Sequence, residues 1–242
     1  MPFDDTASAR AQARGAGRGS DTRQVILDTA ERMFVEKGYS GVTLRDLTAA
    51  AGVNLASVNY HFGSKDALLL EVFRRGSVAI NRERLKLLQE AEAASGARPA
   101  DVRAVLRALF APPLRATLTA DGTGNEGRSI YMQFVARAVL DGPQQMREMI
   151  ERDVGHLQRF VEALALSLPH LERTELLWRF HFAMGALHAM YTNMRRLDAL
   201  SGGSVGVGDV EAVLDRLVEF CAAGLEAGPA APGQAADNHR HA

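Results

Sequence analysis

The stretch from Thr43 to Phe62 constrains the fold more than any other part of the chain, because it predicts two short helices joined by a tight turn. Thr43 is a good N-cap for the first helix, and Asp46 at the fourth position makes a variant of the capping box. Gly52 interrupts the pattern and suits a left-handed backbone. Asn54 can then cap the second helix. This pattern is typical of a helix-turn-helix.

The second of these helices has an apolar side and a side suited to a partner. Val58 and Phe62 stand four residues apart and are expected to face the core, with Val53 locking the two helices together. The other side carries small, flat or hydrogen-bonding residues and no large acid: Leu55, Ala56, Ser57, Asn59 and Tyr60. Such a surface suits the major groove of DNA, where acids would meet phosphates of the same charge.

Helical periodicity continues along the rest of the chain, without strand-like alternation or an internal repeat. A first helix is predicted from Asp21 or Thr22 to Lys37, and a fourth from Ser64 towards Glu90. Later helices are predicted from Asp101 to a kink or end at Pro112-Pro113, over 130–140, over 144–168, over 172–200, and from Asp209 to Leu225. The sequence therefore predicts an all-α fold with a three-helix head, a connecting helix and a helical body.

Four segments follow from these patterns: a disordered arm over residues 1–20, a helix-turn-helix domain over 21–66, a helical domain over 67–227 and a disordered tail over 228–242. The arm contains three arginines and no acid between Thr6 and Ser20. Such an arm can lie along DNA phosphates, or it can serve as a solubilising tail.

Composition excludes several classes of protein. The chain has 242 residues and a net charge of −1, so its overall charge does not indicate a nucleic-acid partner. A single cysteine, Cys221, excludes an intrachain disulfide and a cysteine zinc cluster. No apolar run is long enough to cross a bilayer, and the N-terminus lacks the apolar region of a signal peptide. We expect a cytoplasmic protein with no cofactor, no metal and no membrane partner.

The head resembles the DNA-binding domain of the TetR family of repressors over roughly residues 22–70. The matching features are Ala51-Gly52-Val53 in the turn, Tyr60-His61-Phe62 at the end of the second helix, and Lys65 followed by Leu68. Thr48 departs from the family, which usually has alanine there. A threonine hydroxyl can bond to a backbone carbonyl within the helix, so the change should be tolerated.

This resemblance implies a DNA-binding homodimer that is not an enzyme and that recognises an operator in double-stranded DNA. Phosphate contacts are implied for Thr43, Tyr60, Lys65 and His61. Base-edge contact is implied for Arg45, with guanine the preferred target of a bidentate arginine. Ser57 and Asn59 are implied to contact bases or phosphates, and Leu55 and Ala56 to meet a thymine methyl group. A solvated surface amide is the alternative for Asn59.

A finer resemblance is to the PsrA-like branch of this family, which includes fatty-acid-responsive repressors. Two strings carry it, VNLASVNYHFGSKDA from Val53 to Ala67 and ELLWRFHFAMG from Glu175 to Gly185. This resemblance implies that the body binds a small apolar effector such as a fatty acid or an acyl-CoA.

The helical body is therefore expected to form a ligand-binding and dimerisation bundle. The predicted pocket residues are Phe110, Leu114, Tyr131, Phe134, Val135, Phe160, Leu164, Trp178, Phe182 and Met184. The predicted dimer residues are Leu187, Met190, Met194, Val213, Leu217 and Phe220. Core packing within one chain is the alternative for both sets, because apolar stripes at helical spacing most often form the core.

Two other classes of function stay open at this point. Gly122, Gly124 and Gly127 spell the GxGxxG motif of dinucleotide-binding enzymes, with Asp141 roughly twenty residues further on. The segments on both sides read as helices rather than strands, so a flexible loop is the favoured interpretation. A helical adaptor without a DNA role is the second alternative, and the composition of the helix after Asn54 argues against it.

Overall fold

The computed structural model describes residues 6–118, 135, 138, 142–192, 194–205 and 209–228, and every regular element within them is an α-helix. The helices are α1 (Thr6–Lys37), α2 (Leu44–Ala51), α3 (Leu55–Phe62), α4 (Lys65–Ser95), α5 (Val102–Leu118), α6 (Gln144–Arg152), α7 (Gly155–Ser167), α8 (Arg173–Thr192), α9 (Met194–Ser201) and α10 (Val210–Glu226). The predicted all-α fold is confirmed.

The head is formed by α1, α2, α3 and the first half of α4, which enclose one apolar core. Its centre contains Ile26, Phe34, Leu47, Val58 and Leu69, and each of these side chains is at most 2% exposed. The prediction that Val58 faces the core is thereby confirmed. Val53 and Phe62 are partly buried against the same cluster.

Ion pairs tie α1 to α4 on the outside of this core. Arg75 on α4 contacts both Asp28, at 2.5 Å, and Glu31 on α1. Arg23 on α1 reaches Glu71 on α4 at 2.5 Å. Because the same two helices also share the apolar core, the head is expected to follow any movement of α4.

The body is built around α5, which packs against α4, α7, α8 and α10. Phe110 and Leu114 on α5 and Phe160 and Leu164 on α7 are fully buried in this second core. Outside it, Arg115 binds Glu211 on α10 through two hydrogen bonds of 2.7 and 3.0 Å. The body therefore has a core of its own, and α4 is shared between the two cores.

The two prolines of α5 do not end that helix, which continues to Leu118. Pro113 has no N–H, so it cannot donate to the carbonyl of Leu109 one turn earlier. Arg84 on α4 replaces the missing donor, because its Nε donates to the oxygen of Leu109 at 2.9 Å. A side chain from a neighbouring helix thus satisfies the carbonyl that the proline leaves open.

Several boundaries differ from the sequence prediction. Helix α1 begins at Thr6 rather than at the predicted Asp21 or Thr22, and alanine and arginine are strong helix formers. The predicted helix over 144–168 is two helices, with Asp153 and Val154 between them. Gly155, a weak helix former, begins the second. The predicted helix over 172–200 is helical on both sides of residue 193, as α8 and α9, and residue 193 lies outside the described residues.

Some predicted features lie outside the described residues, including Tyr131, Phe134, the Gly122–Gly127 motif and Asp141. The described segment before that motif is helix α5, where a dinucleotide-binding unit would need a strand. Among the helices that can be described, none is long and apolar enough to cross a membrane.

Candidate nucleic-acid interface and internal cavity

Local hydrogen bonds of Thr43 fix the start of α2. Its Oγ1 accepts from the backbone N–H of Asp46 at 3.1 Å and donates to the Asp46 carboxylate at 2.6 Å. The hydrogen bond from Thr43 lowers the pKa of the Asp46 carboxyl. The predicted N-cap at Thr43 is confirmed.

A left-handed glycine and local hydrogen bonds fix the turn and the start of α3. Gly52 ends α2 with φ of 65° and ψ of 28°, a left-handed conformation that favours glycine. Asn54 caps α3, because its Oδ1 accepts from the backbone N–H of Ser57 at 2.8 Å and from its hydroxyl at 3.0 Å. The Thr48 hydroxyl donates to the backbone carbonyl of Arg45 at 2.9 Å, as predicted for this departure from the family pattern.

These caps leave one face of α2 and α3 open to solvent. Tyr60 is 86% exposed and Leu55 is 49% exposed, and Arg45, Ala56 and Asn59 are also exposed. Within the described part of the chain, the polar groups of the Arg45, Asn59 and Tyr60 side chains make no hydrogen bond. A guanidinium, an amide and a phenol are therefore exposed on α2 and α3, and we name Arg45, Leu55, Ala56, Asn59 and Tyr60 together the α3 face.

Two predicted contacts already have local partners. The hydroxyl hydrogen of Thr43 goes to Asp46, and that of Ser57 goes to Asn54. Each hydroxyl carries one hydrogen, so neither can donate to a phosphate until that bond breaks. In this structure Thr43 caps α2, and the Ser57 hydroxyl binds Asn54, the residue that caps α3.

Lys65, the first residue of α4, lies beside the α3 face. Its Nζ stands 3.9 Å from the centre of the Tyr39 ring, and burial lowers the pKa of the ammonium. The Tyr39 hydroxyl donates to Asp66, and burial together with that carboxylate raises the pKa of Tyr39 to about 12.

His61 is half-buried, with its ring 5.0 Å from that of Tyr60. Sequence reasoning missed Tyr39, whose only signal was its place after the glycine that ends α1.

A cavity of about 410 Å³ lies in the body between α4, the junction of α6 with α7, and α8. Its apolar lining is Phe73, Ile80, Val135, Val154, Leu157, Met184 and Leu187, and its other lining residues are Ser77, Asn81, Arg84, Asp153, His156, His181, Gly185 and His188. Phe73 and Ile80 also belong to the core of the head. The cavity and the head therefore share side chains of α4.

The structure places the predicted pocket residues in three environments. Val135 and Met184 line the cavity. Phe110, Leu114, Phe160 and Leu164 do not line it and are fully buried in the core of the body. Trp178 and Phe182 are 57% and 64% exposed on the outside of α8.

Sequence reasoning missed the polar lining of the cavity. Arg84 is one example, since it is only 6% exposed and stands between Ile80 and Leu88 on the buried side of α4. An arginine in the middle of an apolar stripe was the available signal. His156, which faces it from α7, gave a similar signal, because it stands four residues before the buried Phe160.

The predicted dimer residues differ in how far they are exposed. Leu187 and Leu217 are only 1% and 8% exposed within a single chain. Phe220 is 72% exposed, Val213 and Met190 are half-buried, and Met194 begins α9.

Phe182 on α8 and Phe220 on α10 border one shallow groove, and the rings of Trp178 and Phe182 are 5.8 Å apart. We name Trp178, Phe182 and Phe220 the aromatic patch.

No group of three or more histidine, cysteine, aspartate or glutamate side chains in the described ranges is placed to hold a metal ion. The sole cysteine, Cys221, is buried on α10, and burial raises the pKa of its thiol to about 11.

Two family models match this chain. The first, described as bacterial regulatory proteins of the tetR family, covers residues 26–72. The second, described as a tetracyclin repressor-like C-terminal domain, covers residues 91–224, which is more than half of the chain. The matches therefore include both the head and the body.

Individual proteins agree with this assignment. The chain is 31% identical over 115 residues to the HTH-type transcriptional regulator AcrR of Shigella flexneri, covering 48% of each chain. It is 43% identical over 54 residues to the transcriptional repressor AcnR of Corynebacterium efficiens, covering 22% of this chain and 29% of that one. The match thus spans less than half the length of either relative.

Solved structures show the same fold. The TetR family regulator PfmR from Thermus thermophilus superimposes with a TM-score of 0.55 at 19% identity, covering 84% of this chain and 99% of the other. At that identity the likeness concerns the fold alone. With family models covering both its domains, the chain belongs to the TetR family of transcriptional regulators.

Proposed function

We propose that a homodimer of this chain represses transcription by inserting α3 into the major groove of an operator. The observation that carries this proposal is the α3 face, on which Arg45, Asn59 and Tyr60 are exposed. Tyr60 is 86% exposed, so both its ring and its hydroxyl are accessible to a partner. The capped helices hold this face in shape before any DNA is bound.

Specific roles follow from where the residues lie. Arg45 is free to point a bidentate donor pair at guanine, and Asn59 offers an amide to a base or a phosphate. Leu55 and Ala56 supply the apolar contact for a thymine methyl group. Tyr60 and Lys65 flank the helix and donate to phosphates, which position the protein without reading the sequence. Thr43, Ser57 and His61 lie beside this face. The hydroxyl groups of Thr43 and Ser57 can donate to DNA once they release their local hydrogen bonds.

A dimer is part of the proposal because two recognition helices about 34 Å apart match one turn of DNA. We assign its interface to the aromatic patch. Arg179 holds the two helices of this patch together, since its guanidinium binds Glu175 on α8 at 2.7 Å and the carbonyl of Gly224 at the end of α10 at 3.1 Å. Exposed aromatic side chains on two linked helices are typical of a protein interface.

The cavity is proposed as the effector site, in line with the resemblance to the PsrA-like branch and with a fatty acid or acyl-CoA as the effector class. Phe73 and Ile80 connect it to the head through α4. An effector that prefers a different position of α4 therefore shifts the population of dimers away from the DNA-binding spacing. Gel-shift titration with dodecanoate and dodecanoyl-CoA tests this step, and operator affinity that is unchanged at saturation would refute it.

The DNA-binding proposal is tested by fluorescence anisotropy on duplexes from the region upstream of the coding sequence. Arg45→Ala should weaken binding about tenfold or more and relax the preference over a scrambled duplex, as loss of one bidentate base contact predicts. Arg82→Ala is the matched control, because Arg82 is exposed on α4 well away from the α3 face. Equal loss in both variants, or no loss in either, would contradict the assignment and favour a helical adaptor.

A further inference from the structure

One residue that lines the cavity contains a buried hydrogen-bonding atom whose partner is not in the described protein. His156, the second residue of α7, lines the cavity, and its side chain is 14% exposed. The Nδ1 atom of its ring is fully buried and has no hydrogen-bond partner among the described residues. Buried polar atoms are nearly always paired, so this atom calls for an explanation.

The position of the hydrogen on that ring follows from its neighbour. Nη1 of Arg84 lies 3.4 Å from Nε2 of His156. A guanidinium can only donate, so Nε2 must be the accepting nitrogen. Burial and the positive charge of Arg84 lower the pKa of His156 to about 4, which keeps the imidazole neutral at neutral pH. A neutral ring carries one hydrogen, and it must therefore be on Nδ1.

The nearest carboxylate does not satisfy this donor. Oδ1 of Asp153 is 3.9 Å from Nδ1, which is beyond hydrogen-bonding distance. Much of the remaining cavity wall is apolar, with Phe73, Ile80 and Met184 among its residues. The ring that carries this N–H donor thus lines a largely apolar space, with Asn81 among the residues that line the same cavity.

We infer that the cavity binds an apolar molecule whose polar end carries an oxygen, carbonyl or carboxylate, that accepts a hydrogen bond from Nδ1–H of His156. This inference rests on the proposed function of the cavity as the effector site, and it adds the chemistry of recognition. Apolar contacts hold the body of the molecule, and the Nδ1–H donor of His156 selects for an oxygen at its end. Such a buried donor discriminates strongly, because a ligand without an acceptor leaves it unpaired.

The experiment compares three probes of similar shape on the full-length protein by calorimetry: butyrophenone, phenylbutanoate and butylbenzene. We expect at least one oxygen-bearing probe to bind the wild type about tenfold more tightly than butylbenzene. His156→Phe should abolish that ratio, His156→Gln should keep part of it because glutamine retains an N–H donor, and His170→Phe should keep all of it. His170 is the matched control, exposed in the turn between α7 and α8.

Nitrogen NMR of histidine-labelled wild-type protein provides a readout that does not depend on a variant. We expect the Nδ1-protonated tautomer for His156, and a change at that nitrogen when the preferred probe binds. Equal affinity for all three probes, binding of none, or the opposite tautomer would overturn the inference. Failure of the bound probe to release DNA would refute the effector mechanism alone and leave the recognition chemistry standing.

Discussion

At the scale of single residues, the side chains with the clearest roles are polar groups that complete a structure made elsewhere in the chain. Arg84 donates to the carbonyl that Pro113 leaves open, and it also faces His156. Asn54 and Thr43 complete the starts of two helices. Each of these groups serves backbone or ring atoms that would otherwise be left unpaired, and each is therefore a sensitive position for substitution.

The lowered pKa of His156 predicts how stability depends on pH. Its pKa is about 4 in the folded protein and near 6.5 when unfolded, so between these values the unfolded chain binds more protons. The stabilising contribution is present above pH 6.5 and is lost as the pH falls towards 4. Urea denaturation should show that the wild type loses about 2 kcal/mol more than His156→Phe between pH 7 and pH 5. Equal losses would contradict the buried, neutral state of this ring.

At the scale of helices, α4 joins the two halves of the molecule. Its first half is tied to α1 by Arg75 and by a shared core, and its second half borders the cavity and contacts α5. The contact with α5 is made where two prolines interrupt backbone hydrogen bonding. A helix anchored at both ends in this way can transmit a change at the cavity to the DNA-binding surface.

A double-mutant cycle on α4 and α5 tests the proline contact. Arg84→Met should destabilise the protein by about 2 kcal/mol, because it removes a buried charged donor from the carbonyl of Leu109. Pro113→Ala restores a backbone N–H that can reach the same carbonyl. In the Pro113→Ala background, Arg84→Met should therefore lower the free energy of unfolding by less than in the wild type, and chemical denaturation measures both values. If the two free-energy changes are additive, the Arg84 side chain and the backbone N–H at position 113 do not share this carbonyl.

The helix-turn-helix was predictable because its signals lie within a few residues of one another. Thr43 precedes Asp46 by three residues and Asn54 precedes Ser57 by three, so local chemistry alone defines these helix starts. The cavity was not predictable in this way. His156 and Arg84 are far apart in sequence and meet only through the packing of α4 and α7.

Apolar periodicity also could not separate core, cavity and outer surface. On α8, Leu176 and Phe180 are buried, whereas Trp178 and Phe182 are exposed, although all four are large and apolar. Such a helix is apolar on nearly every side, so spacing does not reveal which side meets its own chain. The exposed side becomes evident only when the packing of α8 against α5 and α10 is known.

At the scale of the whole molecule, the aromatic patch predicts the oligomeric state. Phe220→Asp should convert the dimer into monomers, because a carboxylate would be buried in an apolar interface. Sedimentation velocity measures this, and DNA affinity should fall with it. Leu166→Asp is the matched control, since Leu166 is 67% exposed on α7 and lies outside the patch. A dimer that survives Phe220→Asp would place the interface elsewhere.

Footprinting of the wild-type protein on its upstream DNA reports both sequence-selective binding and the symmetry of the complex. We expect two protected half-sites related by two-fold symmetry, with centres about one helical turn apart, and loss of both in Arg45→Ala. Protection that is uniform along the DNA, or identical footprints for the wild type and Arg45→Ala, would contradict the role given to the α3 face.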